Sequence, residues 1–172
     1  RDIVIVANDD SYSIPGTTCY IAKKDESHKG MDKFLSSQEQ WSDTKTIIVY
    51  GDVYFTDEAV KLIATDNRQW CFFLRLNGSK ITGKRSGEIF ALSFDSSFNE
   101  EMLQSLKSIV FRENFLNPLA PAGWILLGYL LKIDHGQKIF TNLYSYVNID
   151  DWTEDFDYPI DLDTWKKFRS VI

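Results

Sequence analysis

Apolar residues fall along this chain in two rhythms. Short runs rich in β-branched and aromatic residues alternate with stretches in which apolar positions return every three or four residues. The first run is Ile3 to Ala7, a continuous apolar segment of the kind that forms a buried parallel strand. Asn8, Asp9 and Asp10 end it. Pro15-Gly16 predicts a turn, and Thr17 to Ala22 a second strand. After a charged loop from Lys23 to Gly30, the spacing of Met31, Phe34, Leu35, Gln38 and Trp41 predicts an amphipathic helix over 31–41.

The rest of the chain continues the alternation. Lys45 to Tyr50 predicts a buried strand running straight into Gly51-Asp52. Thr56 reads as an N-cap, with Asp57 and Glu58 in the first turn and Val60, Ile63 and Ala64 as the apolar face. Trp70 to Leu76 and Glu88 to Phe94 predict strands on either side of a glycine-rich loop or hairpin. Asn99 to Val110 predicts a helix with Met102, Leu103, Leu106 and Ile109 inward. Pro121 opens a helix to about Lys132 that is apolar nearly all round and so buried. Tyr144 to Ile149 predicts a late strand, and Asp161 a cap for a last helix through Leu162, Trp165 and Phe168. This order predicts an α/β fold: a three-layer α/β/α sandwich on a mostly parallel sheet, in a single domain over 1–172.

Composition narrows the function classes. The chain has 172 residues, enough for one domain with a real core. Its net charge of -6 argues against a nucleic-acid partner, since phosphate neutralisation needs a basic face. The longest uncharged apolar stretch, Leu119 to Leu131, falls short of the roughly 20 residues of a membrane span, so no membrane partner is expected. Asp2, Asp9 and Asp10 sit where a secretory signal would be apolar, and Cys19 and Cys71 read as two buried small residues. Both point to the cytoplasm. His28 and His135 lie in charged loops without metal-ligand spacing and read as surface residues. Nothing in the composition bears on oligomeric state. The chain opens on Arg1 rather than Met, which reads as a fragment, a processed product or a trimmed chain.

Three places carry candidate chemistry. Asp52 ends a buried strand just before a capped helix, at the carboxyl edge where open α/β sheets bind ligands. A carboxylate there can hold Mg2+, and Gly51 permits close backbone approach; the same aspartate reads equally as a turn former. The run Asp150 to Asp157 between the last strand and last helix offers one or two carboxylates that can share a metal with Asp52, the others being solvated acids. The loop Asn77 to Gly87 sets basic groups among glycines, as either a phosphate or sugar-acid site or a solvated hairpin tip.

Two of these segments carry a resemblance. Gly30 to Ile63, with its helix, apolar strand, Gly51-Asp52 and second helix, resembles the middle of GT-A-fold nucleotidyltransferases, the sugar-phosphate and cytidylyltransferase-like members included. Glu154 to Leu162 resembles the closing segment of that family. The resemblance implies a nucleotide-diphospho-sugar transferase-like fold. It implies Asp52 as ligand of a catalytic Mg2+ (or Mn2+), with Asp155 or Asp157 as the second ligand and Asp157 preferred. The implied activity is transfer of a nucleotidyl group from a nucleoside triphosphate to a phosphorylated small-molecule acceptor such as a sugar phosphate. Asp52 and Lys84 are then catalytic candidates, with Gly51, Arg85 and Glu88 as substrate-binding ones. A nucleotide-sugar glycosyltransferase of the same fold is an alternative, although Asp52-Val53-Tyr54 lacks its usual pair of acids. A non-catalytic binding or regulatory module is another. The family's N-terminal glycine-rich loop has no counterpart here, and Arg1 already matches the family's second strand. The expectation is therefore a truncated or degenerate member.

Overall fold

The computed structural model describes residues 3–7, 9–22, 30–113, 122–131 and 146–170. In chain order the elements are β1 (Val4–Ala7), β2 (Thr18–Ile21), α1 (Gly30–Ser36), β3 (Lys45–Val49), β4 (Val53–Tyr54), α2 (Asp57–Thr65), β5 (Trp70–Arg75), β6 (Glu88–Asp95), α3 (Asn99–Glu113), α4 (Ala122–Leu130), β7 (Tyr146–Asn148), β8 (Glu154–Asp155) and α5 (Pro159–Arg169). The chain divides into two compact units, Arg1–Asp43 with Ser96–Ile139 and Thr44–Asp95 with Phe140–Ile172. Among the described residues no helix is long and apolar enough to cross a membrane. His28, His135, Pro121, Lys132 and the start of the strand expected at Tyr144 lie outside the described residues.

In the first unit β1 and β2 pair in parallel, Val4 opposite Thr18, as the apolar run predicts. Only Ala7 of β1 is buried, so the strand is less enclosed than expected. The helix expected over 31–41 stops at Ser36 and continues as a 3-10 turn over Ser37–Gln40. Ser36 and Ser37 explain the change: their hydroxyls donate to the carbonyls of Lys33 and Phe34, at 3.0 and 2.7 Å, in place of the regular ladder. α1, α3 and α4 pack on one another. Met102, Leu106 and Ile109 of α3 are buried as their spacing predicts, while Leu103 is half-buried. Among the side chains of α4 that the structure describes, Gly123, Leu126 and Leu127 are buried and the others half-buried, so its apolar surface is partly covered rather than enclosed. Cys19 is half-buried, not buried.

The second unit holds a four-stranded sheet in the order β3-β6-β5-β7. Here the mostly parallel expectation is not met. β3 and β5 both run antiparallel to β6, and only β5 and β7 are parallel. The reason is the connection: Leu76 to Gly87 carries no helix to cross over, so β6 returns beside β5 as a hairpin partner. β4 and β8 form a separate antiparallel pair, Val53 opposite Asp155 and Tyr54 opposite Glu154. Neither short strand is visible in the sequence pattern. α2 begins as predicted, with Thr56 Oγ1 accepting from the Ala59 amide at 3.0 Å. Its Ala59 and Ile63 join Cys71, Phe73, Phe90, Ala91 and Ile149 in a core cluster. Val60 is 52% exposed and does not belong to the apolar face. α5 starts at Pro159, two residues before the expected cap. Asp161 instead sits inside the first turn and accepts from the Tyr158 amide at 3.1 Å.

A one-residue irregularity decides what sits at the end of this sheet. Phe73 lies opposite Ala91 but Leu74 lies opposite Ile89, so Phe90 is bulged out of the register. Without the bulge Arg75 would face Ile89. With it, Arg75 faces Glu88, and the two side chains pair at 3.1 Å. The same guanidinium reaches Glu154 of β8 at 3.0 Å and lies over the Phe90 ring at 5.2 Å. Glu154 has no exposed surface, and it also accepts from Ser79 Oγ at 2.6 Å and Thr82 Oγ1 at 3.3 Å. Among the described residues the Arg75 Nε has no hydrogen-bond partner.

Removing the cation from such a buried group strands a charge in low dielectric, so Arg75→Met should cost about 3–5 kcal/mol in urea unfolding. A loss below about 1 kcal/mol would mean that the triad does not hold β5, β6 and β8 together.

Candidate functional site

The acidic run of the sequence is divided among different tasks. Asp151 caps locally, accepting from the Thr153 amide at 2.7 Å and from the Thr56 hydroxyl. Asp150 pairs with Lys80 on the surface at 3.7 Å. Glu154 is consumed by the buried network. Because Asp155 follows Glu154 on the same short strand, it points away from that network. Asp155 and Asp157 are therefore the members of the run left at an accessible edge, together with Asp52. Asp52 is exposed in the turn between β3 and β4, as expected, and its carbonyl accepts from the Phe156 amide at 3.1 Å. The pairing of Val53 with Asp155 carries Asp52 to the C-terminal acids, and a cleft of about 320 Å3 lies between Gly51, Asp52, Val53, Tyr54 and Phe156.

Lys84 organises this edge. Its Nζ lies 2.9 Å from Asp157 Oδ2, 3.1 Å from Glu88 Oε1, 3.5 Å from Asp155 Oδ2 and 3.6 Å from Asp161 Oδ2, and it donates to the Asp155 carbonyl at 2.9 Å. The loop that carries it is shaped by glycine. A Cβ on Gly78 would lie 2.1 Å from the Lys84 carbonyl oxygen, and one on Gly87 would lie 2.3 Å from that of Arg75. Both crossings exclude any side chain, so the loop folds back tightly enough to aim Lys84 at the acids. Arg85 is exposed. Glu88 is buried between Arg75 and Lys84. Sequence reasoning singled out Lys84 as a charge aimed at substrate; its contacts are with the protein's own carboxylates. Arg75, Glu154 and Asp161 were missed as parts of the edge. The signal that could have found Arg75 is a lone arginine ending an otherwise apolar strand.

One ammonium is shared by four carboxylates, and the electrostatics reflect the shortage. Burial pushes Asp155 up to about 6; Lys84 opposes this, while Asp157, Asp52 and Glu88 add to it. Burial likewise raises Glu88 against the pull of Lys84 and Arg75. Burial alone would lower Lys84, but hydrogen bonds to Asp157 and Glu88 and the charge of Asp155 outweigh it and raise it. Tyr50 is raised by burial first, then by Asp52 and Asp155. Oxygen atoms of Glu88, Asp155 and Asp157 lie within 4.8 Å of one another, the spacing of a group that can hold a metal ion. With Asp52 beside them, the carboxylates outnumber the cations bonded to them, so the donor set suits a divalent cation.

A larger cleft of about 400 Å3 lies between Tyr54, Thr56, Asp57, Glu58, Trp152, Trp165 and Arg169. It contains none of the clustered acids. Its aromatic wall is internally satisfied: the Tyr54 and Trp165 rings pack with centroids 4.4 Å apart and planes tilted by 54°, and Arg169 lies over both rings.

No protein-family model matches the chain, and no curated protein does. Among solved structures, a protein from Bacillus anthracis assigned as a glucose-1-phosphate thymidylyltransferase, crystallised with sucrose, is similar with a TM-score of 0.50 at 12% identity. The likeness covers 91% of this chain and 67% of that one. At that identity it is a likeness of fold.

The raised Asp155 gives a pH signature. Between the ordinary 3.8 and about 6, the folded chain holds a proton that the unfolded chain has lost. Stability should therefore fall as pH rises across that window, and the cost should be complete above it. Asp155→Asn should remove this part of the profile, read as urea midpoints from pH 4 to pH 7. Equal slopes in the two proteins would show that Asp155 ionises without strain.

Proposed function

We propose that this chain is a nucleotidyltransferase-like protein whose metal-binding edge is built from Asp52, Asp155 and Asp157. The observation that carries the reading is the cluster of Glu88, Asp155 and Asp157, whose acids outnumber the cations bonded to them, beside the exposed Asp52 in a fold like that of the Bacillus anthracis structure. The parent reaction is attack by a phosphate oxygen of a small-molecule acceptor, such as a sugar phosphate, on the α-phosphorus of a nucleoside triphosphate. The new P–O bond forms as the bond to the β-phosphate bridging oxygen breaks, and pyrophosphate leaves. Bound Mg2+ or Mn2+ would neutralise the charge of the phosphates. The chain's own residues supply the rest. Asp52, Asp155 and Asp157 hold the cation, and Gly51, with no side chain, leaves the cleft beside Asp52 open. The acceptor is already an anion, so no side chain has to remove a proton from it.

A non-catalytic relative of the same fold is the second reading. The observation favouring it is the seat of Lys84 among the acids, where it supplies a positive charge without any metal. The two readings part in calorimetry of nucleoside triphosphates with and without Mn2+. The first predicts metal-dependent binding that Asp52→Ala weakens by about tenfold or more, since even outer-shell partners of a metal are worth that much. Binding that ignores both the metal and Asp52 would sink it.

A further inference from the structure

We propose that Lys84 and a divalent cation are alternative occupants of the same carboxylate nest, so that metal enters only by expelling the Lys84 ammonium. The inference rests on the proposed metal edge and adds to it a built-in competitor. Lys84 Nζ bonds the same three side chains whose oxygens are clustered for a metal: Glu88 at 3.1 Å, Asp155 at 3.5 Å and Asp157 at 2.9 Å. No second cation can sit among those oxygens while the nitrogen does.

Lys84 can leave. It is carried by a loop rather than a strand, its side chain is 17% exposed, and Asp157, its shortest carboxylate contact, is itself 54% exposed. Its other contacts fix what its loss would do. Without Lys84, Glu88 keeps Arg75, but Asp155 and Asp157 lose the cation bonded to them. The edge then needs a replacement charge, and a divalent ion is the replacement its oxygens suit.

The test compares the intact chain with Lys84→Met, titrated with Mn2+ and with Ca2+ by calorimetry and followed by thermal melting. Lys84→Met should bind both ions at least about tenfold more tightly, and its melting temperature should rise more on metal addition. Equal affinities in the two proteins, both lost in Asp52→Ala, would leave the metal edge standing and overturn the competition. No metal binding to either protein would overturn the metal edge and the competition together. Should Lys84→Met fail to fold, the wild-type chain still decides. Trace acetylation read by mass spectrometry should find Lys84 protected in chelator and reactive at saturating Mn2+. Unchanged Lys84 reactivity at saturating metal would overturn the proposal.

Discussion

Glu154 is a carboxylate with no exposed surface, and much of the second unit answers to it. A charge so placed must be paired and hydrogen-bonded on all sides. Arg75 comes from β5 and Ser79 and Thr82 from the loop that follows, while Glu88 of β6 shares the Arg75 guanidinium. With β8 itself, four segments meet there: β5, the loop, β6 and β8. Holding them at hydrogen-bond distance fixes β8 against the sheet and folds the glycine loop over it. Everything at the acidic edge inherits its position from that arrangement: Asp155 because it is the next residue on β8, Lys84 because it rides on the same loop as Ser79 and Thr82.

The edge itself is the reverse of the network behind it. Inside, the Arg75 guanidinium and two hydroxyls satisfy Glu154. Outside, one ammonium is spread over Glu88, Asp155, Asp157 and Asp161 while Asp52 adds its charge nearby. Burial raises Asp155 first, and the neighbouring acids Asp157, Asp52 and Glu88 add to it against the pull of Lys84. That excess of like charge is what draws the loop lysine in among the acids.

Local rules carried the sequence reading a good way. Thr56 as a cap, the inward positions Met102, Leu106 and Ile109, and Asp52 at a strand end are each written in residue type and spacing. Features set by pairing were not legible. The bulge at Phe90, which puts Glu88 rather than Ile89 opposite Arg75, has no signature in a uniformly apolar run. β4 and β8 are two residues each, too short for any period to show. The acidic run shows the limit best. Composition alone cannot sort Asp151, Glu154 and Asp155, yet one caps, one is buried and one faces the edge. The alternation of side chains along β8 and the cations that meet each face sort Glu154 from Asp155, while the Thr56 hydroxyl and the Thr153 amide claim Asp151.

The central claim is that the carboxylates around Lys84 form a cation site next to Asp52. Crystals of the chain soaked in Mn2+ and measured at the manganese absorption edge test it most directly. The account predicts an anomalous peak bonded to Asp155, with Lys84 Nζ withdrawn from Asp157 and Glu88. A peak elsewhere with Lys84 still in its present contacts, or no peak at all, would contradict it.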